Sequence, residues 1–185
     1  MIKSRKTGFI VKYLMPILLV SILYGCSKAV KEENMMPSKF DVVNRHPFTV
    51  SLTVKGKMGL SSARGSKDDI DQEKLTRVIQ RSLIESGLFE ALASEQEADY
   101  ILKVIVFKAN ILGTVTATIT TAVPMNWVLM QRNPSKSVYQ KRTSNQVSVK
   151  AKDNFGAASR YSKANEGSVN KNIHEAIFDL SQLDL

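Results

Sequence analysis

The chain of 185 residues has one cysteine, one tryptophan and two histidines. A lone thiol, Cys26, cannot close an intrachain disulfide, and without a CxxC or a cysteine-histidine cluster no structural zinc site can be read. His46 precedes Pro47 where a strand would begin, and His174 falls in a helical pattern, so both read as structural or surface residues. Also missing are a GxSxG elbow, an HExxH pair, a phosphate-cradling glycine loop and a GxGxxG between strand and helix. Asp68, Asp69, Asp71 and Glu73 cluster, but at the start of a helical pattern, where capping accounts for them. These absences describe a chain with no catalytic residues, no cofactor and no metal.

Carboxylates are scarce relative to cations, 17 against 26, for a formal charge of +9. Lys3, Arg5, Lys6 and Lys12 concentrate part of that excess at the N-terminus. The remainder is only mildly basic, which is not the signature of a nucleic-acid binder. Nor is any apolar run long. Residues 13–24 (YLMPILLVSILY) make about a dozen, short of the roughly 20 that cross a hydrocarbon core, and Pro16 interrupts them. Cations followed by a short apolar run have the layout of a cleaved secretory signal.

At the end of that run, Leu23-Tyr24-Gly25-Cys26 resembles the lipobox of bacterial lipoproteins, with Tyr24 standing where the family has a small residue. The resemblance implies cleavage between Gly25 and Cys26 and attachment of a diacylglycerol to the Cys26 thiol. A thiolate suits that role as the best nucleophile the chain has near neutral pH. Two or more acyl chains give stable membrane attachment where one does not. In enteric-type bacteria an aspartate after the cysteine retains lipoproteins at the inner membrane. Here Ser27 and Lys28 follow, which implies an outer-membrane anchor with the domain facing the periplasm. The chain then divides into a signal (1–25), a flexible tether (26–45), polar and of mixed charge, and one domain (46–185).

Within the domain, FTVSLTVK (48–55) alternates apolar and polar residues as a half-buried strand does. Residues 56–67 (GKMGLSSARGSK) read as a mobile loop. Asp69 with Gln72 three positions on suggests a capping box, and Leu75, Val78, Ile79, Ser82 and Leu83 line one face of a helix that Gly87 ends. YILKVIVF (100–107) is apolar on both faces apart from Lys103, as in an interior strand covered on one side by helix and partly by something else on the other. A threonine-rich strand follows at 114–123, with a pattern that runs on through Pro124 to Met130. A return strand spans 137–150, and a closing helix begins near Ser159 or Ser168, with Gly167 an irregularity inside it.

This order, β-α-β-β-β-α, predicts an α+β fold, a mostly antiparallel sheet with two helices on one face, the first strand pairing in parallel with the strand after the helix. The stretches GLFEAL…ADYILKVIV (87–106) and NKNIHEAIFDLSQL (170–183) resemble YajG-type envelope lipoproteins at the level of architecture. The function implied is that of a non-catalytic accessory protein, held on a membrane through acylated Cys26, that docks onto another envelope protein. Thr116 and Thr118 on a candidate sheet edge and Trp127 as an anchor are the candidate contacts, the alternative being a fully paired interior strand for the threonines and a core or sheet-covering indole for Trp127. The competing reading is a carrier holding a lipid or glycolipid between sheet and helices.

Overall fold

A computed structural model of the chain describes residues 30–56, 71–112, 117–154 and 156–185. Gly25, Cys26 and the rest of the expected signal, the expected loop from residue 57 onward, and Thr116 lie outside them. The described chain runs α1 (Glu32–Met35), β1 (His46–Gly56), α2 (Gln72–Ser86), β2 (Phe89–Leu92), β3 (Tyr100–Val106) and β4 (Asn110–Ile111). It continues with β5 (Thr118–Ala122), β6 (Met125–Gln131), β7 (Lys136–Thr143), β8 (Gln146–Lys150) and α3 (Ala157–Ser181). The class is α+β, as the pattern predicts.

The main sheet has the order β2-β1-β3-β6-β7. β1 pairs in parallel with both β2 and β3, and β3, β6 and β7 are antiparallel. Parallel neighbours need a crossover, and α2 supplies it. Its N-cap is Asp71, not Asp69: the Asp71 carboxylate accepts from the Glu73 amide at 3.1 Å. At the other end Gly87 takes the left-handed conformation, φ 61°, and its amide donates to the Ile84 carbonyl. The buried stripe includes two serines, whose hydroxyls are satisfied by the helix itself: Ser82 donates to the Val78 carbonyl and Ser86 to that of Leu83.

A second, three-stranded sheet, β4-β5-β8, was not anticipated by the six-element order. It arises because three long strands bend at the same level. β3 leads into β4 through residues 107–109, β5 into β6 through Val123 and Pro124, and β7 into β8 through Ser144 and Asn145. Strands that are neighbours in the main sheet therefore remain neighbours, in the same order, in the small one. The β6/β7 ladder stops at Met125 opposite Thr143, and the β5/β8 ladder resumes at Ala122 opposite Gln146.

Between those rungs the backbone of Val123 and Asn145 must find other partners, since a buried unpaired amide or carbonyl is costly. α3 provides them. The Val123 amide donates to the Ser168 hydroxyl (2.8 Å), which itself donates to the Asn145 carbonyl (2.6 Å). Asn172 donates to the Val123 carbonyl (2.6 Å) and accepts from the Asn145 amide (2.9 Å). The helix is thus a splint across the bend. Beyond it, Ile173, Ala176, Ile177 and Leu180 enter the main core. On the other side Gly167 lies against Val147, where an added Cβ would come within 3.1 Å of a methyl group. Gly167 is therefore not an irregularity but the point of closest approach between helix and small sheet, and the helix begins upstream of both expected starts, at Ala157.

The stretch expected as a flexible tether is, from Val30 onward, part of the packed body. Met35 is fully buried, and Val30 and Pro37 are buried. Backbone groups of the stretch and the Asn34 side chain meet polar residues of α3. The buried Glu166 carboxylate accepts from the Lys31 amide (2.8 Å) and the Asn34 side chain (2.7 Å), and Asn170 donates to the Met36 carbonyl (2.7 Å). Farther along, the Val43 amide donates to the Ser181 hydroxyl at 3.0 Å.

Candidate functional site

The main sheet has one face under the helices and one on which no described element packs. On the covered face Leu102, Val104, Trp127 and Leu129 meet Ile79, Ile173 and Ile177. The opposite face is read from the register as rows across the strands. One row is Lys55, Ile105, Asn126, Arg142; the next is Thr53, Lys103, Val128, Gln140; a third holds Ser51, Ile101 and Met130. Ile105 is 40% exposed, and Phe107, just past β3, is 39% exposed with the Arg142 guanidinium 4.7 Å from its ring centroid.

These rows hold three cations and no carboxylate. Among the described residues none of Lys55, Lys103 and Arg142 forms an ion pair. At the margin of the face Asp99 is already engaged, accepting from the amide (2.9 Å) and hydroxyl (2.8 Å) of Thr49. Those bonds, the backbone one first, hold its carboxyl below the usual range. The face is thus apolar and positively charged. Its signal in the sequence is that residues 100–107 are apolar on both faces, although helices cover only one. The structure brings Lys55 and Arg142, which the sequence reading did not single out, into the same surface.

Trp127 does not belong to it. The indole is 1% exposed and donates to the Thr143 hydroxyl at 3.0 Å, so it is a core residue and not a partner anchor. Thr118 lies on β5, the central strand of the small sheet, opposite Lys150 of β8, whereas β4 pairs with β5 only at Thr121 and Ala122. Thr116, Gly25 and Cys26 lie outside the described residues.

The densest titratable cluster sits on the helix side of β7. Lys141 reaches both Asp179 (2.6 Å) and Glu175 (2.8 Å), and Glu175 also accepts from the Asn145 side chain (2.6 Å). Tyr139 donates to Asp179 at 3.2 Å, and burial, then the nearby carboxylate charge, raises its pKa. The bonds to Asp179 and Glu175 raise that of Lys141. Burial acts to raise Glu175, but the Lys141 and Asn145 bonds outweigh it and its pKa falls below 4.5. Every carboxylate here is engaged, so the cluster fastens α3 to β7. Glu175 adds stability above pH 4.5 that is lost as acid titrates it below that value, whereas the Lys141 contribution is lost only above pH 10.5. Melting temperatures of a Glu175→Gln variant are therefore expected to fall less steeply than those of the parent below pH 4.5. Parallel acid limbs would remove Glu175 from this account.

A cleft of about 600 Å³ lies where β1 and β3 begin and β6 ends, with Phe48, Asp99, Tyr100 and Arg132 on its walls. Among the described residues no three histidine, cysteine or acidic side chains converge as a metal site would need, and no helix is long and apolar enough to cross a membrane.

No protein-family model matches the chain, and no curated protein sequence does. Solved structures do. Protein XCC0632 from Xanthomonas campestris superposes with a TM-score of 0.51 at 11% identity, over 77% of this chain and 88% of that one. The minor lipoprotein from Acinetobacter baumannii gives 0.50 at 11% identity, over 72% and 91%. Protein CT253 from Chlamydia trachomatis gives 0.50 at 11%, over 71% and 93%. At such identity the likeness is one of fold: the chain has a fold also found in bacterial proteins, a lipoprotein among them.

Proposed function

We propose that the chain is a bacterial envelope lipoprotein, anchored in the outer membrane through acylated Cys26, whose domain serves in the periplasm as a non-catalytic adaptor for another envelope protein. The observation that carries this reading is the contrast between the two faces of the main sheet. Under the helices the described interface is filled, with Leu102, Trp127, Leu129 and Ile173 at most 1% exposed. On the other face, among the described residues, Ile105 is 40% and Phe107 39% exposed, and apolar surface of this kind is what an interface offers before its partner arrives. A carrier of lipid would need space where those core residues sit, so the filled interface favours the adaptor.

The anchor is tested with Cys26→Ser. The variant is expected to lose all metabolic palmitate labelling and to leave the membrane pellet, and retention of both would refute the lipidation. The adaptor is separated from the carrier by mass spectrometry of lipid extracted from the purified domain. Stoichiometric lipid would favour the carrier.

A further inference from the structure

The open face of the main sheet has a chemistry that selects its occupant. From the strand spacing of about 4.8 Å and the rise of about 3.3 Å per residue, Lys55 and Lys103 stand roughly 8 Å apart, and each lies about 12 to 14 Å from Arg142. Ile105 lies between Lys55 and Arg142 in their row, Val128 lies beside Lys103 in the next, and Phe107 lies beneath the Arg142 guanidinium. Three unpaired cations around an apolar centre, with no carboxylate in the rows, match a surface of opposite charge and similar apolar content.

Two occupants fit poorly. A second copy docking face to face about a two-fold axis would set the same cations against each other. The membrane that holds the anchor lies on the wrong side. Cys26 is four residues before Val30, a span of at most about 14 Å. Val30 leads into α1, which lies against α2 and α3, on the far side of the molecule from the open face.

We infer that the open face, centred on Ile105 and Val128 and framed by Lys55, Lys103 and Arg142, docks an acidic, amphipathic segment of a partner protein, whose apolar side chains cover the centre and whose carboxylates meet the three cations. This rests on the adaptor reading and adds to it where the partner sits and what it is made of.

The test places a photoreactive residue in the full-length protein in living cells, as Ile105→p-benzoylphenylalanine and Val128→p-benzoylphenylalanine, with the exposed Ile84 of α2 as the comparison position. Both sheet positions are expected to crosslink to one protein, through a peptide in which aspartate or glutamate alternates with apolar residues. Adding Lys103→Glu and Arg142→Glu, both surface changes, should cut that yield at least tenfold with the melting temperature unchanged. A synthetic copy of the captured segment with its carboxylates replaced by lysine should then bind the charge-reversed protein better than the parent. Adducts to lipid, to a second copy or to a segment without carboxylates overturn the assignment, as does a yield indifferent to charge reversal. Protein adducts from Ile84 but none from Ile105 or Val128 overturn it while leaving the adaptor reading intact. No protein adduct from any position overturns both.

Discussion

Gly56→Ala is expected to lower the melting temperature by about 10 °C, whereas Gly87→Ala lowers it by only about 3 °C, at roughly 2–4 °C per kcal/mol for a domain of this size. Both glycines have positive φ, 123° and 61°. They differ in what a methyl group would meet. At Gly87 the nearest atoms belong to the Arg45 side chain, 3.6 to 3.8 Å away, so an alanine meets only the left-handed penalty of about 1 kcal/mol. At Gly56 a Cβ would sit 2.1 Å from the Val106 carbonyl oxygen, on the neighbouring strand. Backbone cannot swing aside as a side chain can. Either β1 parts from β3 at its last rungs or the sheet distorts, at a cost of about 3 kcal/mol. Thermal unfolding of the two variants side by side decides it: equal melting temperatures would mean that the end of β1 is not held against β3.

Asn172→Ala is expected to be as damaging, about 3 kcal/mol and again near 10 °C. The amide lies at the bend, donating to the Val123 carbonyl and accepting from the Asn145 amide and side chain. Alanine would leave a buried carbonyl and an adjacent amide without partners where no strand can replace them, a cost of about 1 to 3 kcal/mol for each buried group. Asn170→Ala makes the comparison. Two positions earlier on the same helix, that asparagine bonds the Asn34 and Met36 carbonyls nearer to solvent, and its loss should cost about 1 kcal/mol. Hydrogen exchange at Val123 and Asn145 reports the site directly. Were Asn172→Ala to melt with the parent and keep those amides protected, strand pairing alone would hold the bend.

The contrast between these asparagines shows what periodicity reveals and what it hides. The alternation of Phe48 to Lys55 and the stripe of Leu75, Val78, Ile79 and Leu83 identified β1 and α2, because both elements bury apolar side chains in the simple pattern of their period. The parallel pairing of β1 with β3 followed from the helix between them. The small sheet was harder to see, since its strands continue those of the main sheet and only Pro124 marks the bend. On α3, Glu166, Ser168, Asn170 and Asn172 are polar residues between apolar positions, yet Glu166, Ser168 and Asn172 are buried against the backbone of other segments. Hydropathy cannot tell a polar side chain that faces water from one that replaces a missing rung. Trp127 stood between core and interface for a related reason, because an indole fits both alike until its Thr143 partner is known. Of the open face, only the apolar character of both sides of β3 was visible. Its charge depends on register, which brings together residues 55, 103 and 142 from three strands.

The docking of residues 30–45 onto α3 also imposes an order of events on the chain. Glu166 lies 135 positions after the Lys31 amide that it binds, so this contact cannot form until nearly the whole polypeptide has emerged. Such distant closures come late and slow the search for the native state. Before closure, the residues from Val30 to Arg45 are free chain with a root-mean-square reach of about 22 Å. Afterwards Lys31, Asn34 and Met36 are fixed to Glu166 and Asn170 of α3. Folding thus takes up slack at the N-terminal end of the domain, and a chain truncated before Glu166 keeps that slack.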